Sequence, residues 1–207
     1  AFNSVDALLK NVDAASIATP TSTHHEVALE ALNAGKHIFI EKPITKTAEQ
    51  AGDLIRKARE KNLKIQVGHI ERFNPALLSI EHMMLQPLFI ESHRLSQFNP
   101  RGTDVAVIHD LMIHDIDIIL SLVKSKVTSI AANGVAVVTN NIDIANARIQ
   151  FESGCVANVT ASRISASKMR KMRLFQRDAY ISLNFLEGTT EVFKLIDAND
   201  NTTPSTM

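Results

Sequence analysis

The sequence predicts an α/β unit on a parallel sheet, followed by an α+β unit on an open, mainly antiparallel sheet. Three observations carry this expectation. Through the first 70 residues, short apolar runs alternate with helical patterns in the order β-α-β-α-β, and such alternation with short connections implies parallel strands joined by helical crossovers. One long apolar helix is expected over residues 104–123. From Val127 onward the chain reads only as strands separated by turn signals, the pattern of antiparallel hairpins.

Taken in order, residues 5–9 read as a helix fragment and residues 14–18 as a buried strand. Thr23 and Glu26 have the Thr-x-x-Glu form of a capping box, and the helix they open runs to Gly35, a left-handed stop. Residues 37–41 are the next strand. Thr47 caps a helix over residues 48–61, whose Ala51, Leu54, Ile55 and Ala58 recur at spacings of three and four, and residues 64–68 form a third strand. Residues 88–95 read as a strand, residues 97–103 as a loop, and residues 127–139, 142–151, 155–164, 171–177, 180–185 and 191–196 as an antiparallel meander. Asn140-Asn141, Ser153-Gly154 and Glu187-Gly188 supply its turns. The change in texture sets a boundary near residue 87, between 1–87 and 88–207.

Composition narrows the function. The 22 Lys and Arg balance 22 Asp and Glu, so the chain lacks the cationic surplus that nucleic acid or an anionic membrane requires. A small-molecule or protein partner is expected instead. The single cysteine, Cys155, can form neither an internal disulfide nor a cysteine metal cluster, and it reads as a core residue of a cytoplasmic protein. The apolar stretch 105–123 is broken by His109, Asp110, His114, Asp115 and Asp117, which excludes a membrane span. The chain opens at Ala1 in a helix fragment and ends in a polar 199–207 tail, so it reads as a piece of a longer protein.

Three constellations can carry chemistry. Thr19, Pro20 and His24 lie where the first strand gives way to its helix, the place at which an open α/β sheet binds ligands. Glu41-Lys42-Pro43 ends the second strand, and proline after the lysine fixes the backbone that aims the ammonium. In the long helix Asp110 and His114 are four apart, so a carboxylate lies one turn from an imidazole and can orient it as a general base, with Asp117 on the same stripe. His109 and Asp115 point elsewhere and read as solvated or structural. Lys42 with the Asp110/His114 pair makes a coherent set for alcohol oxidation: a base takes the hydroxyl proton, a cation stabilises the alkoxide and a nicotinamide accepts the hydride. The His109-Asp110 and His114-Asp115 doublets also suggest a metal-dependent phosphohydrolase, but those enzymes are mainly helical and half of this chain reads as strand. A non-catalytic sugar-binding protein of the same fold is the other alternative.

These motifs, with Gly68-His69-Ile70-Glu71-Arg72-Phe73-Asn74-Pro75 between them, resemble the Gfo/Idh/MocA oxidoreductases over almost the whole chain. The resemblance implies the C-terminal half of a Rossmann-type parallel sheet, hence a partial dinucleotide-binding domain over 1–87 and a substrate-binding and oligomerisation domain over 88–207. It implies an NAD(P)-dependent dehydrogenase acting on a sugar, nucleotide-sugar or cyclitol hydroxyl, without a metal and assembled as a homodimer or homotetramer. Lys42 would be the catalytic lysine, His114 the general acid/base and Asp110 its partner. Thr19, Pro20, His24, Glu41, Lys42 and Pro43 would lie along NAD or NADP. Glu71, Arg72 and Asn74, with Arg101 of the 99–103 loop, would line the substrate side. The wording of 68–75 and of that loop looks most like the bacterial branch of nucleotide-sugar and lipid A precursor metabolism, with C3 of UDP-N-acetylglucosamine as the expected hydroxyl. Two departures matter. The family's glycine-rich phosphate loop and ribose-reading acid lie before Ala1, and the usual Asp-x-Gly-x-His has Met112 at the glycine, where it would fill space beside the pair and alter substrate fit. A basic cluster of Lys168, Arg170, Lys171, Arg173 and Arg177 reads as a solvated strand face or an oligomer contact, with a substrate diphosphate as the alternative.

Overall fold

The computed structural model describes residues 1–100 and 105–195. Its contacts divide the chain at Ile70/Glu71, earlier than the expected boundary near residue 87. The reason lies in the segment after Glu71: Leu77 and Ile80 are buried in the second unit's core, and Asn74 Nδ2 donates to the Phe185 carbonyl at 3.0 Å.

In the first unit, helix α1 (Val5–Leu9) precedes strand β1 (Ala14–Ile17), helix α2 (Thr21–Asn33), strand β2 (His37–Ile40), helix α3 (Ala48–Glu60) and strand β3 (Ile65–Val67). The three strands are parallel, in the order β1-β2-β3. Both helices bury a stripe at helical spacing: His24, Ala28, Ala31 and Leu32 from α2, and Leu54 and Ala58 from α3. Ile17, Ile38 and Ile40 meet them from the sheet, and each such isoleucine contributes about 1.5–3 kcal/mol by leaving water. Thr47 caps α3 as expected, accepting from Gln50 N at 3.3 Å, and Gly35 closes α2 at φ +75°. The expected capping box does not form. The helix starts at Thr21, three residues earlier than a cap at Thr23 would place it, because Pro20 sets the N-cap; Thr23 falls inside the first turn, its hydroxyl 2.9 Å from Thr19 Oγ1 and 3.0 Å from the Pro20 carbonyl oxygen.

The second unit begins with helix α4 (Pro75–Leu78), capped by Asn74, whose Oδ1 accepts from Ala76 N at 3.1 Å. Strand β4 (Phe89–Leu95) follows. The expected helix over 104–123 is observed in two parts: a π-helical turn, Ile108–Met112, and helix α5 (Ile113–Leu122). Strands β5 (Val127–Val135), β6 (Ile144–Phe151), β7 (Val156–Ser162), β8 (Met169–Phe175), β9 (Ala179–Asn184) and β10 (Thr189–Lys194) complete the described residues. Their order is β10-β9-β8-β4-β7-β6-β5. The sheet is open and mainly antiparallel, but it is not one meander: β4 inserts between β8 and β7 and runs parallel to β7. Alternate residues of the inner strands, such as Ala157, Val159 and Ala161 of β7, bury one face against Met112, Ile118 and Ile119. Cys155 joins that core, and burial pushes its thiol up from the ordinary value.

A buried clasp ties this unit's loops together. Asp143 Oδ2 accepts from the N–H groups of Val137, Val138 and Thr139 at 2.8–2.9 Å, and its Oδ1 from the Thr139 hydroxyl at 2.7 Å. Arg163 stands beside it, Nε 3.7 Å from Oδ1, and donates through Nη2 to the Val105 and Ile142 carbonyls.

Candidate active site

In the first unit the candidate residues gather at the carboxyl ends of β1 and β2. Parallel pairing brings those ends side by side: Glu41 N donates to Ile17 O at 3.0 Å and Gly68 N to Ile40 O at 2.8 Å. Gly68 packs closely there: a Cβ would come within 3.1 Å of the Phe39 ring and 3.2 Å of Glu41 Oε2, so those side chains would have to shift by a few tenths of an ångström. Lys42, half-buried, precedes buried Pro43 through a cis peptide bond. His24 is 1% exposed and bridges two loops, its Nδ1 2.9 Å from the Pro43 carbonyl oxygen and its Nε2 2.9 Å from the Thr19 carbonyl oxygen. Both ring nitrogens thus face main-chain carbonyls, and His24 pins the turn that carries Lys42. Thr19 and Pro20 are exposed at the start of α2, whose first turn has no side-chain cap. The start of this 13-residue helix has no side-chain cap, and the N-terminus of a helix attracts anionic groups.

In the second unit Asp110 lies within the π-helical turn and His114 in the first turn of α5, both half-buried. Such turns are frequent at functional sites. Met112, expected to fill space beside the pair, is 2% exposed and belongs to the core. Asp117, expected on the Asp110/His114 stripe, is held by Arg72 in a fork, Nε to Oδ2 at 2.7 Å and Nη2 to Oδ1 at 2.6 Å. Of the residues expected on the substrate side, Glu71 accepts from Arg94 and Arg170, Arg72 binds Asp117, and Asn74 caps α4. Arg101 lies outside the described residues.

Of the two readings for Asp115, solvated or structural, the second holds. Asp115 is 1% exposed, and its Oδ1 accepts from Arg94 Nε at 3.1 Å and Nη2 at 2.8 Å. Burial pushes its carboxyl up from the ordinary value while Arg94 pulls against that shift. The signal for this pair was present in the sequence: Arg94 occupies the inward register of Ile90 and Ser92, where a charge needs a buried partner. The basic cluster splits in the same way. Arg170 turns inward to Glu71 at 3.4 Å, and Arg173 pairs with Glu91 at 2.7 Å.

Half of a dinucleotide-type parallel sheet followed by a mixed sheet under an Asp-x-x-x-His helix is the build expected of a nicotinamide-dependent oxidoreductase. Residues 1–69 match the oxidoreductase family with the NAD-binding Rossmann fold, and residues 77–182 match the GFO/IDH/MocA C-terminal domain. The chain belongs to the Gfo/Idh/MocA oxidoreductase family. It is 45% identical over 194 residues to UDP-N-acetylglucosamine 3-dehydrogenase of Acidithiobacillus ferrooxidans, a match spanning 93% of this chain and 62% of that protein. It is 31% identical over 170 residues to scyllo-inositol 2-dehydrogenase (NAD(+)) of Bacillus subtilis, spanning 74% of this chain and 49% of that protein. A solved structure of the Acidithiobacillus protein superposes with a TM-score of 0.90, covering 94% of this chain and 64% of that one. A levoglucosan dehydrogenase, solved with NADH and levoglucosan, shares the fold at a TM-score of 0.86 and 21% identity, over 97% of this chain and 62% of that one.

Proposed function

We propose that the protein carrying this sequence is an NAD(P)-dependent dehydrogenase that oxidises a sugar, nucleotide-sugar or cyclitol hydroxyl, with C3 of UDP-N-acetylglucosamine as its substrate position. The observation that carries the reading is the Glu41-Lys42-Pro43 turn, held at the carboxyl end of β2 by the buried His24. A lysine fixed in that way is a preorganised cation, which acts on charge that develops in a transition state without first having to be ordered. The 45% identity to a relative named for UDP-N-acetylglucosamine supports the substrate.

Each residue has a defined task. His114 removes the hydroxyl proton, and Asp110, one turn earlier, orients the imidazole. Lys42 stabilises the alkoxide as it forms. Thr19, Pro20, Glu41, Lys42 and Pro43 would hold the dinucleotide, and the chemistry supplied by a bound nicotinamide is acceptance of the hydride from the carbinol carbon. The protein is expected in the cytoplasm; among the described residues no helix is long and apolar enough to cross a membrane. Ile130 and Val135, exposed on edge strand β5, support a homodimer or homotetramer, which sedimentation of the complete protein checks.

The test offers the complete gene product NAD or NADP with UDP-N-acetylglucosamine, inositol and simple hexoses. Reduced cofactor with the nucleotide sugar is expected. Turnover of inositol alone would move the substrate to the cyclitols, and no turnover of any of them would sink the dehydrogenase reading.

A further inference from the structure

Among the described residues Arg94 is the largest fully buried side chain, and nothing in the proposed chemistry uses it. It sits on β4, central in the sheet, on the face that packs against α5. One guanidinium serves two carboxylates: Nε and Nη2 donate to Asp115 Oδ1, and Nη1 to Glu71 Oε1 at 3.4 Å. Arg170 stands opposite it in the β4/β8 register and reaches the same Glu71 oxygen at 3.4 Å, so Glu71 lies between two cations that would otherwise repel. The guanidinium carbon lies 5.9 Å from the centre of the Phe185 ring.

Stability alone does not account for such a pair. Taking both charges out of water costs several kcal/mol per ion, and apolar residues of similar volume would hold helix to sheet as firmly or better. What the pair supplies is direction. A planar fork fixes a carboxylate in position and in rotation, which apolar contact does not. Asp115 directly follows His114 and comes just after the π-helical turn that carries Asp110.

We propose that Arg94 is a positioning residue: through Asp115 it sets the rotation of α5 and so the aim of His114, and through Glu71 it ties that helix to the segment preceding α4. The inference rests on the reading of His114 as the base. It assigns Asp115 the same positioning task and gives neither residue a contact with substrate.

The complete protein tests this with two variants. Arg94→Lys keeps the charge and removes the fork; the double variant Arg94→Met/Asp115→Leu replaces the pair by apolar groups. The double variant is expected to melt at or above the wild-type temperature while kcat falls by up to about 100-fold, the cost of a misplaced catalytic group, with the KM for cofactor unchanged. In both variants the ring resonances of His114, assigned through His114→Gln, should move. A double variant with wild-type kcat and an unmoved His114 signal would overturn the proposal, as would a folded Arg94→Lys protein of full activity if the double variant fails to fold. The His114 signal is read without turnover, so a wild type that oxidises nothing contradicts the dehydrogenase reading and leaves the positioning claim to be decided by that signal alone.

Discussion

Replacing Met112 by the glycine that the family pattern carries separates two accounts of that position. If Met112 only trimmed the substrate space, Met112→Gly would leave stability alone and change substrate preference. The structure places the side chain in the core, 2% exposed and packed with Ile118 and Ile119. Removing a buried methionine side chain to Cβ costs about 2–5 kcal/mol. Met112 also lines an apolar groove of about 440 Å³ with Ile108, Ile116 and Ile130, so the site opens on one side and the lower part of that range applies. Glycine in a helical turn adds about 1 kcal/mol more, for a total near 3–4 kcal/mol. At about 2–4 °C per kcal/mol for a domain of this size, the melting temperature should fall by about 10 °C, measured by circular dichroism. Met112→Leu, which keeps the volume, should cost less than about 1.5 kcal/mol. A Met112→Gly protein that melts with the wild type but has changed substrate preference would refute this reasoning.

Other outcomes follow from the same geometry. The N–H of Thr139, with its hydroxyl and the N–H groups of Val138 and Val137, holds the Asp143 carboxyl well below the ordinary carboxylate range. Its stabilising contribution is therefore present above the unfolded value of about 3.9 and is lost as pH falls below it. Asp143→Asn should weaken the protein at neutral pH by an amount that shrinks at acid pH in urea unfolding; a gap that stays constant with pH contradicts the clasp. His24→Ala strands the Pro43 carbonyl in the interior and frees the Thr19 carbonyl, so it should cost about 2–3 kcal/mol. An equally stable His24→Ala protein would show that the bridge is not formed.

Much of this fold was legible because local chemistry and global packing agree. Gly35 and Thr47 end and begin helices for reasons confined to a few residues, and the β-α-β-α-β order follows from them. Thr23 misled because Pro20, three residues earlier, is the stronger signal for where a helix begins. The insertion of β4 between β7 and β8 was not legible, since β4 pairs with segments more than 60 residues away in sequence and no local pattern selects among inner strands. The candidate site divides along the same line. Lys42, Asp110 and His114 stood out by spacing, whereas Arg94 and Asp115 meet across 21 residues, and Glu71 and Arg170 across 99. Only the inward register of Arg94 announced that a buried partner existed.

The most direct test of the central claim compares the single-turnover rate of nicotinamide reduction in the complete wild-type protein and in Lys42→Ala, with UDP-N-acetylglucosamine and the preferred cofactor. The fixed cation predicts a loss of about 10²- to 10³-fold in that rate at an unchanged melting temperature. A Lys42→Ala protein that reduces the cofactor as fast as the wild type would contradict it.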